Sequence, residues 1–249
     1  MEVVFVGTGE ATDPELPNTS ILLLAGAALL VDCGYSVPHA LWQHSRDPNL
    51  LDGIYLTHGH ADHFLGLPAL LMWMRHAGRA RPLCLLGAPG FRQWAEGAMT
   101  LGYPGAFAAE KCYPIEFLEL GPDRTQQFGP LQLRSAESEH SVRNCALRVD
   151  AGGVAVAVSG DGAPTPHCES LYEGVDLLVH EAFRFDVRTK GHATAAEVVA
   201  LSDRARVKEL ALVHLAAEER AGFEGRLATL GGACRRFVPS PGDRWTCSP

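Results

Sequence analysis

The sequence has no long hydrophobic run and no leader-like segment. Apolar runs such as Ile21 to Leu24 and Val154 to Val158 are strand-sized, far below the roughly 20 residues of a membrane helix. The first residues, Met-Glu-Val-Val-Phe-Val-Gly, enter a strand-like run without a basic leader or a small-residue cleavage site, which disfavours secretion by signal peptide. We therefore expect no association with a membrane.

Paired cysteines and an excess of positive charge are also lacking. The seven cysteines are scattered and form no Cys-x-x-Cys pair, a pattern typical of reduced thiols in a cytoplasmic protein. The formal net charge of −8 argues against a broadly basic nucleic-acid surface, although it leaves room for a local basic patch. These features predict a cytoplasmic protein without a large nucleic-acid-binding face.

The composition that is present is that of a globular α/β protein. Of the 249 residues, 47% are hydrophobic and 20% are charged, which is enough apolar material for a substantial core. Both halves of the chain run from strands to alternating strands and helices. Two such halves can pack sheet against sheet with helices outside, so we predict a four-layer αββα sandwich. No Pro/Ser/Gly linker divides the chain, and residues 1–249 are predicted to form a single domain.

Apolar periodicity gives the predicted elements. Strands are predicted at Glu2–Val6, Ser20–Leu24, Ala28–Val31, Gly53–Thr57, Pro82–Leu86, Ile115–Leu120, Leu131–Ala136, Cys145–Val149, Val154–Ser159, Leu177–Val179 and Glu209–Val213. Helices are predicted at Val37–His44, Phe64–His76, Pro89–Thr100, Ala193–Ser202 and Ala216–Leu230, and Gly102–Lys111 is predicted to be a loop.

The run Thr57-His58-Gly-His60-Ala-Asp62-His63 lies between a predicted buried strand and a predicted helix. A turn after a strand end can direct several side chains into one pocket, and imidazoles with a carboxylate are the donors that zinc prefers. Four such side chains would crowd a single tetrahedral ion that also needs donors from elsewhere, so two ions are favoured. The alternative is a solvated polar turn that is rich in histidine.

Three more ligand-type residues follow predicted strands: His140, Asp161 and His214. Each alone would be a structural or surface residue. Together they occupy the edge of an α/β protein where ligands usually collect. The combined set predicts a metal centre built from distant parts of the chain.

These residues resemble the five-motif pattern of the metallo-β-lactamase superfamily. Asp32 in Val-Asp-Cys-Gly matches the first motif, residues 58–63 the second, His140 the third, Asp161 the fourth and His214 the fifth. The resemblance implies the metallo-β-lactamase fold and a dizinc site. His58, His60 and His140 would hold one ion, Asp62, His63 and His214 the other, and Asp161 would bridge them. Asp32 would orient ligand histidines from outside, Asp62 is also assigned to catalysis, and Mn²⁺ or Fe²⁺ are alternatives to zinc.

Further segments resemble the ribonuclease Z branch over nearly the whole chain. They are Phe5-Val-Gly-Thr-Gly, Asn18-Thr-Ser-Ile-Leu-Leu, Gly66-Leu-Pro-Ala-Leu-Leu, Leu177-Leu-Val-His180-Glu181-Ala-Phe183 and Gly191-His192-Ala-Thr194-Ala. The resemblance implies that His192 gives a proton to the leaving group and that an acidic residue holds this histidine. Glu181 is the candidate for that residue. The alternative is that His192, with Thr194, caps the following helix.

One feature departs from ribonuclease Z enzymes that process transfer RNA. They carry a protruding arm between the motifs that match His140 and Asp161, whereas two predicted strands and a tight Ala151-Gly-Gly turn fill that interval here. Compact relatives that act on cyclic phosphates in phosphonate breakdown are therefore the closer analogy. The favoured function is a zinc-dependent phosphodiesterase acting on a small-molecule or short single-stranded nucleic-acid phosphodiester. A carboxylic ester, lactone or sulfate ester hydrolase and a non-catalytic metal-binding or scaffold protein are the alternatives.

The sequence indicates substrate contacts and oligomeric state less clearly than it indicates the metal ligands. Arg143 and Asn144 follow a proposed ligand, and the guanidinium of Arg143 could form a fork on a phosphate or point to solvent. The apolar segment Phe64 to Trp73 could form a homodimer interface, as the resemblance suggests, or simply pack in the core.

Overall fold

A computed structural model describes residues 1–122 and 124–248. The strands are β1 (Glu2–Gly7), β2 (Ser20–Leu24), β3 (Ala28–Val31), β4 (Gly53–Leu56), β5 (Leu83–Gly87), β6 (Ile115–Glu119), β7 (Thr125–Phe128), β8 (Leu131–Ser138), β9 (Asn144–Ala151), β10 (Val154–Val158), β11 (Leu177–Glu181), β12 (Glu209–Val213), β13 (Arg235–Phe237) and β14 (Arg244–Thr246). The helices are α1 (Val37–His44), α2 (Ala61–Phe64), α3 (Leu67–His76), α4 (Phe91–Gly102), α5 (Pro166–Tyr172), α6 (Ala195–Arg204) and α7 (Phe223–Leu227), with a 3₁₀ turn at Ala217–Glu219.

The strands form two seven-stranded sheets, in the orders β14-β1-β2-β3-β4-β5-β6 and β13-β12-β11-β10-β9-β8-β7. Alternation along each strand divides its side chains between two apolar layers. In β1, Val3 and Phe5 pack between the sheets, whereas Val4 and Val6 pack under α1, α3 and α4. In β10, Val156 faces the space between the sheets, and its neighbours face α5, α6 and α7. The predicted four-layer αββα sandwich is confirmed.

Two predicted helices differ from the structure. The segment 64–76 is divided at Leu65-Gly66 into α2 and α3, because the chain turns there against the loop after β3. A side chain at Gly66 would lie 2.0 Å from the carbonyl oxygen of Gly34, which explains the glycine. Pro68 lies in the first turn of α3, where proline is tolerated. The segment 216–230 is a 3₁₀ turn followed by the short α7.

The sequence patterns also missed some short elements: β7, β13, β14 and α5. The predicted loop at 102–111 is confirmed from 103 onward, since α4 ends at Gly102. Among residues 1–122 and 124–248, no helix combines the length and apolarity that crossing a membrane requires.

The sheet directions bring several strand ends to one edge. Strands β3 to β6 run parallel in the first sheet, and β10 to β13 run parallel in the second. Strand β8 has the same direction as β10, because β9 pairs antiparallel with both. The carboxyl ends of these strands therefore carry the candidate site.

Candidate metal centre

The polar residues of the centre follow five strand ends. Asp32 follows β3, residues 58–63 follow β4, His140 follows β8, Asp161 follows β10 and His214 follows β12. Asp32 and His214 both adopt left-handed backbone conformations, with φ of 63° and 57°. Non-glycine residues rarely do so, and they keep such a conformation only where the surroundings enforce it. Here, backbone hydrogen bonds help to enforce it. The backbone nitrogen of Asp32 donates to the carbonyl of Tyr55 (2.8 Å), and that of His214 donates to the carbonyl of Thr8 (2.9 Å).

A first donor cluster consists of His58, His60 and His140. The Nδ1 atom of His60 lies 3.2 Å from His58 Nε2 and 3.1 Å from His140 Nε2. A tetrahedral zinc ion with bonds of ~2.0–2.1 Å separates its donor atoms by about 3.3 Å, so the three nitrogens fit one ion. Burial also lowers the pKa of His58 well below its ordinary value, which favours the neutral imidazole that binds metal.

A second cluster consists of Asp62, His63, Asp161 and His214. His63 Nε2 lies 3.1 Å from Asp62 Oδ2 and 3.3 Å from Asp161 Oδ1, and His214 Nε2 lies 3.4 Å from Asp161 Oδ2. The same Asp161 Oδ2 lies 3.9 Å from His58 Nε2 of the first cluster. Asp161 is thus the one carboxylate in this set that contacts donor atoms of both clusters.

Buried atoms without partners give an independent test of metal fit. His63 Nε2, His214 Nε2 and Asp161 Oδ1 are buried and have no hydrogen-bond partner among the described residues. An unsatisfied buried polar atom costs roughly 1–3 kcal/mol, and coordination to a divalent ion would remove that cost. All three atoms belong to the second cluster. The donor set of this cluster therefore fits a divalent ion.

Protons compete with metal for the second cluster. Burial alone favours the neutral ring of His214, but Asp161 and Asp62 outweigh it and raise the pKa of His214 to about 9. The pKa of His63 is likewise raised, because Asp161 and Asp32 overcome the opposing effect of burial. Metal binding would therefore displace protons from this cluster.

Outer contacts hold the histidine rings. His63 donates from Nδ1 to Asp32 Oδ2 (2.7 Å), and Asp32 also accepts from the backbone nitrogen and the hydroxyl of Thr57, both at 2.8 Å. With its hydroxyl proton on Asp32, Thr57 can accept from His58 Nδ1 at 3.0 Å. His140 donates from Nδ1 to the carbonyl of Gly191 (2.6 Å). These contacts leave the Nε2 atoms of His58, His63 and His140 free for metal.

Glu181 and His192 lie beside both clusters. Glu181 ends β11, is fully buried, and accepts hydrogen bonds from the backbone nitrogens of Gly162 (3.0 Å), Phe183 (2.9 Å) and Ala193 (2.9 Å). Its Oε1 also lies 3.2 Å from His192 Nδ1. Burial alone would lower the pKa of His192, but hydrogen bonding and charge from Glu181 outweigh it and raise that pKa.

The His192 ring contacts ligand rings from both clusters. It stacks on His214, with centroids 5.8 Å apart, and meets His140 edge-on at 5.1 Å. The helix-capping alternative for His192 is not supported, because Thr194 itself caps α6. Thr194 accepts from the backbone nitrogen of Glu197, and Glu197 accepts in return from that of Thr194.

With this geometry in place, the family can be assigned. The sequence profile of the family described as anti-Pycsar protein Apyc1 matches residues 1–229. The chain belongs to this family. Among curated relatives, ribonuclease BN of Citrobacter koseri is 25% identical over 276 aligned residues, covering 86% of this chain and 89% of that protein. Ribonuclease BN of Escherichia coli matches with the same identity and coverage.

Solved structures identify the fold of this Apyc1-family chain. The metallo-β-lactamase fold protein YhfI from Bacillus subtilis has a TM-score of 0.84 at 21% identity and covers 98% of both chains. Human tRNase Z, short form, has a TM-score of 0.80 at 20% identity over 99% of both chains. A diphosphatase from the PhnP family has a TM-score of 0.74 at 15% identity, covering 99% of this chain and 97% of that one. The predicted metallo-β-lactamase fold and the ribonuclease Z-like resemblance are confirmed.

The two residues expected to contact substrate lie in different environments. Arg143 is exposed, and its Nε lies 3.6 Å from Glu137 Oε1. Asn144 is fully buried in the Apyc1-family chain; it donates to Ser138 Oγ (2.8 Å) and to the carbonyl of Ser159 (2.9 Å), and its Oδ1 accepts from the backbone nitrogen of Asp161 (3.3 Å). This burial does not favour a substrate contact. Asn144 instead holds the turn that carries Asp161.

Sequence reasoning overlooked Thr57 and Trp94. Thr57 links Asp32 to His58; it lies within the histidine-rich run, but its place at a strand end does not by itself indicate this role. Trp94 lies against Gly59 although the two are far apart in sequence; a side chain at Gly59 would lie 3.6 Å from the indole. No local pattern gives that proximity.

Proposed function

We propose that this Apyc1-family chain is a dizinc phosphodiesterase that hydrolyses a small or single-stranded phosphodiester. The observation that carries the proposal is the pair of donor clusters sharing Asp161, with the His192–Glu181 pair beside them. Its relatives described above, a ribonuclease, a tRNase and a diphosphatase, support phosphorus chemistry.

The metal ligands in this proposal are those of the two clusters. His58, His60 and His140 would hold one ion, Asp62, His63 and His214 the other, and Asp161 would bridge them. When bound, two ions supply an activated water and neutralise charge developing on the phosphate. Asp62, whose Oδ2 lies between His63 and His214, is also proposed to orient the attacking water. Asp32 and Thr57 keep the rings of His63 and His58 in position.

His192 is proposed to donate the proton that the leaving oxygen needs. Glu181 Oε1 lies 3.2 Å from Nδ1, so Nε2 is the ring nitrogen left to face the substrate. The side chain is 18% exposed, which lets it reach a bound molecule. A histidine outside the metal shell suits general acid catalysis near neutral pH.

The compact surface favours a small substrate over transfer RNA. Every residue between His140 and Asp161 is described, and these residues form a short loop, β9, a tight Gly152-Gly153 turn and β10, without a protruding arm. The net charge of −8 also disfavours an extended contact with a polyanion.

Turnover of three ester classes tests this function. We expect the zinc-loaded protein to hydrolyse bis(p-nitrophenyl) phosphate at least about tenfold faster than an aryl sulfate or a lactone, since the site is built to neutralise phosphate charge. A chelator should abolish the activity and added zinc should restore it. Faster turnover of the lactone or the sulfate would contradict the proposal, and a protein that binds no metal would indicate a non-catalytic role.

We also propose that the chain folds as one domain, because each donor cluster takes residues from both sheets. A cytoplasmic location is supported by the seven cysteines, all of which are free thiols.

The proposed homodimer would use the face around α2 and α3, where Leu65 is 44% exposed and Trp73 is only partly buried. Light scattering should give twice the chain mass of 26.8 kDa, and Leu65→Glu should lower it. A wild-type monomer at tens of micromolar would contradict the dimer.

A further inference from the structure

A cavity of about 170 Å³ lies beside the first donor cluster, and the mechanism above uses only two residues of its wall. These residues are His58 and Thr57. The rest of the wall consists of the segment 88–91, Trp94 and Arg143. The cavity thus combines a metal-ligating histidine, an apolar wall and a cationic side chain.

Trp94 is the large flat side chain of this wall. It is held edge-on by Phe64, with ring centroids 4.7 Å apart, and by Phe91 at 6.1 Å. Gly59, between the ligands His58 and His60, faces the indole without a side chain. The ligand turn therefore packs against a tryptophan that two aromatic neighbours keep in place.

Arg143 brings positive charge to the same cavity. Its side chain is 57% exposed, and its one ion pair among the described residues joins Nε to Glu137 at 3.6 Å, beyond hydrogen-bond distance. Exposed ion pairs of this kind contribute little to stability, so the guanidinium can turn towards an anion at little cost in free energy. A guanidinium matches two phosphate oxygens at once.

We propose that this cavity receives an aromatic ring of the substrate, which stacks on Trp94 while Arg143 pairs with the phosphate. The proposal rests on the proposed function and makes the substrate a phosphodiester with a planar ring on one of its alcohols. Apolar cavities on the order of 150 Å³ take up benzene, so this volume suits one planar ring system. His58 in the wall places that ring next to the phosphate-binding metal site.

Binding of two phosphate monoesters to the zinc-loaded protein tests the subsite without catalysis. By calorimetry, phenyl phosphate should bind roughly 10- to 100-fold more tightly than methyl phosphate, the scale typical of ring stacking on an aromatic side chain. Phenyl phosphate should also change tryptophan fluorescence. Trp94→Leu should abolish both the preference and the fluorescence change, whereas Trp245→Phe, on β14 away from the cavity, should keep both.

Arg143→Ala is a second variant that does not depend on packing, because Arg143 is exposed. It should lower the affinity for both monoesters by a similar factor and leave the preference for phenyl phosphate intact. Equal affinity for the two monoesters in the wild-type protein, or an unchanged preference in a metal-loaded Trp94→Leu, would overturn the proposal.

Failure of this proposal is distinguishable from failure of the proposed function. If phosphodiesters are hydrolysed but Trp94→Leu keeps the ring preference, the subsite alone is wrong. If phenyl phosphate binds with the expected preference but no phosphodiester is hydrolysed, the function is wrong and the subsite stands.

Discussion

Asp161→Asn is expected to remove most of the metal from both donor clusters and to abolish activity. One oxygen of Asp161 contacts His63, and the other contacts His214 and His58, so a single change affects both sites. Asparagine keeps the shape but has one acceptor oxygen and no charge. Loss of a residue that only orients a ligand costs ~10- to 100-fold in metal affinity, and a shared ligand should cost more than that.

Elemental analysis after desalting, together with turnover of bis(p-nitrophenyl) phosphate, measures this effect. Asp186→Asn is the matched control, because Asp186 is exposed and its one described ion pair, to Arg226, is long at 3.8 Å. The control should keep two ions per chain. Two tightly bound ions in Asp161→Asn would show that the carboxylate is not shared.

His192→Ala should keep both metals and lose roughly 10²- to 10⁴-fold in kcat on substrates with poor leaving groups, the usual scale of general acid catalysis. His192 contacts Glu181 and the rings of two ligands, but it belongs to neither donor cluster. The loss should shrink on p-nitrophenyl esters, because p-nitrophenolate leaves without a proton.

Kinetics on paired substrates with good and poor leaving groups measure the difference, and His167→Ala, an exposed histidine of α5, is the control. An equal loss on both substrates would mean that His192 positions the substrate instead. Loss of metal would place it among the ligands, together with Glu181 and His214, whose donor atoms lie within 4.8 Å of its own.

From the sequence alone, Glu181→Gln should give a weaker form of the loss of kcat expected for His192→Ala. The structure makes it a less selective probe of the proton donor. In the structure, Oε2 accepts from Phe183, so an amide nitrogen at that position would face a backbone N–H. Oε1 accepts from Gly162, next to Asp161. We therefore expect Glu181→Gln to disturb the turn of the bridging ligand as well.

Local patterns predicted much of the centre because its chemistry is concentrated in short segments. Residues 58–63 place four ligand-type side chains in one turn, and Asp161 and His214 directly follow apolar strands. Asn144 shows the limit of such reasoning. It follows the exposed Arg143, but it begins β9, whose first four residues are all buried, and its amide group bonds to Ser138, Ser159 and Asp161 inside the protein.

Tertiary contacts account for most of what the sequence patterns missed. Apolar periodicity continues across Leu65-Gly66, and only the approach of the Gly34 loop explains the break between α2 and α3. Strand β13 reads Arg-Arg-Phe, which has no apolar alternation, and it forms by pairing with β12 at the sheet edge. The position of Trp94 beside Gly59 likewise depends on the packing of α4.

Because the ligands come from both sheets, the supply of metal would affect the lifetime of the protein. Residues 58–63 extend from one sheet, and His140, Asp161 and His214 from the other, so bound ions would tie the two halves together at their shared edge. Each tenfold excess of free metal over its dissociation constant adds about 1.4 kcal/mol to the stability of the folded state. In a metal-starved cell, this edge would open more often and expose the chain to proteases. Zinc limitation would then reduce the number of enzyme molecules as well as the activity of each.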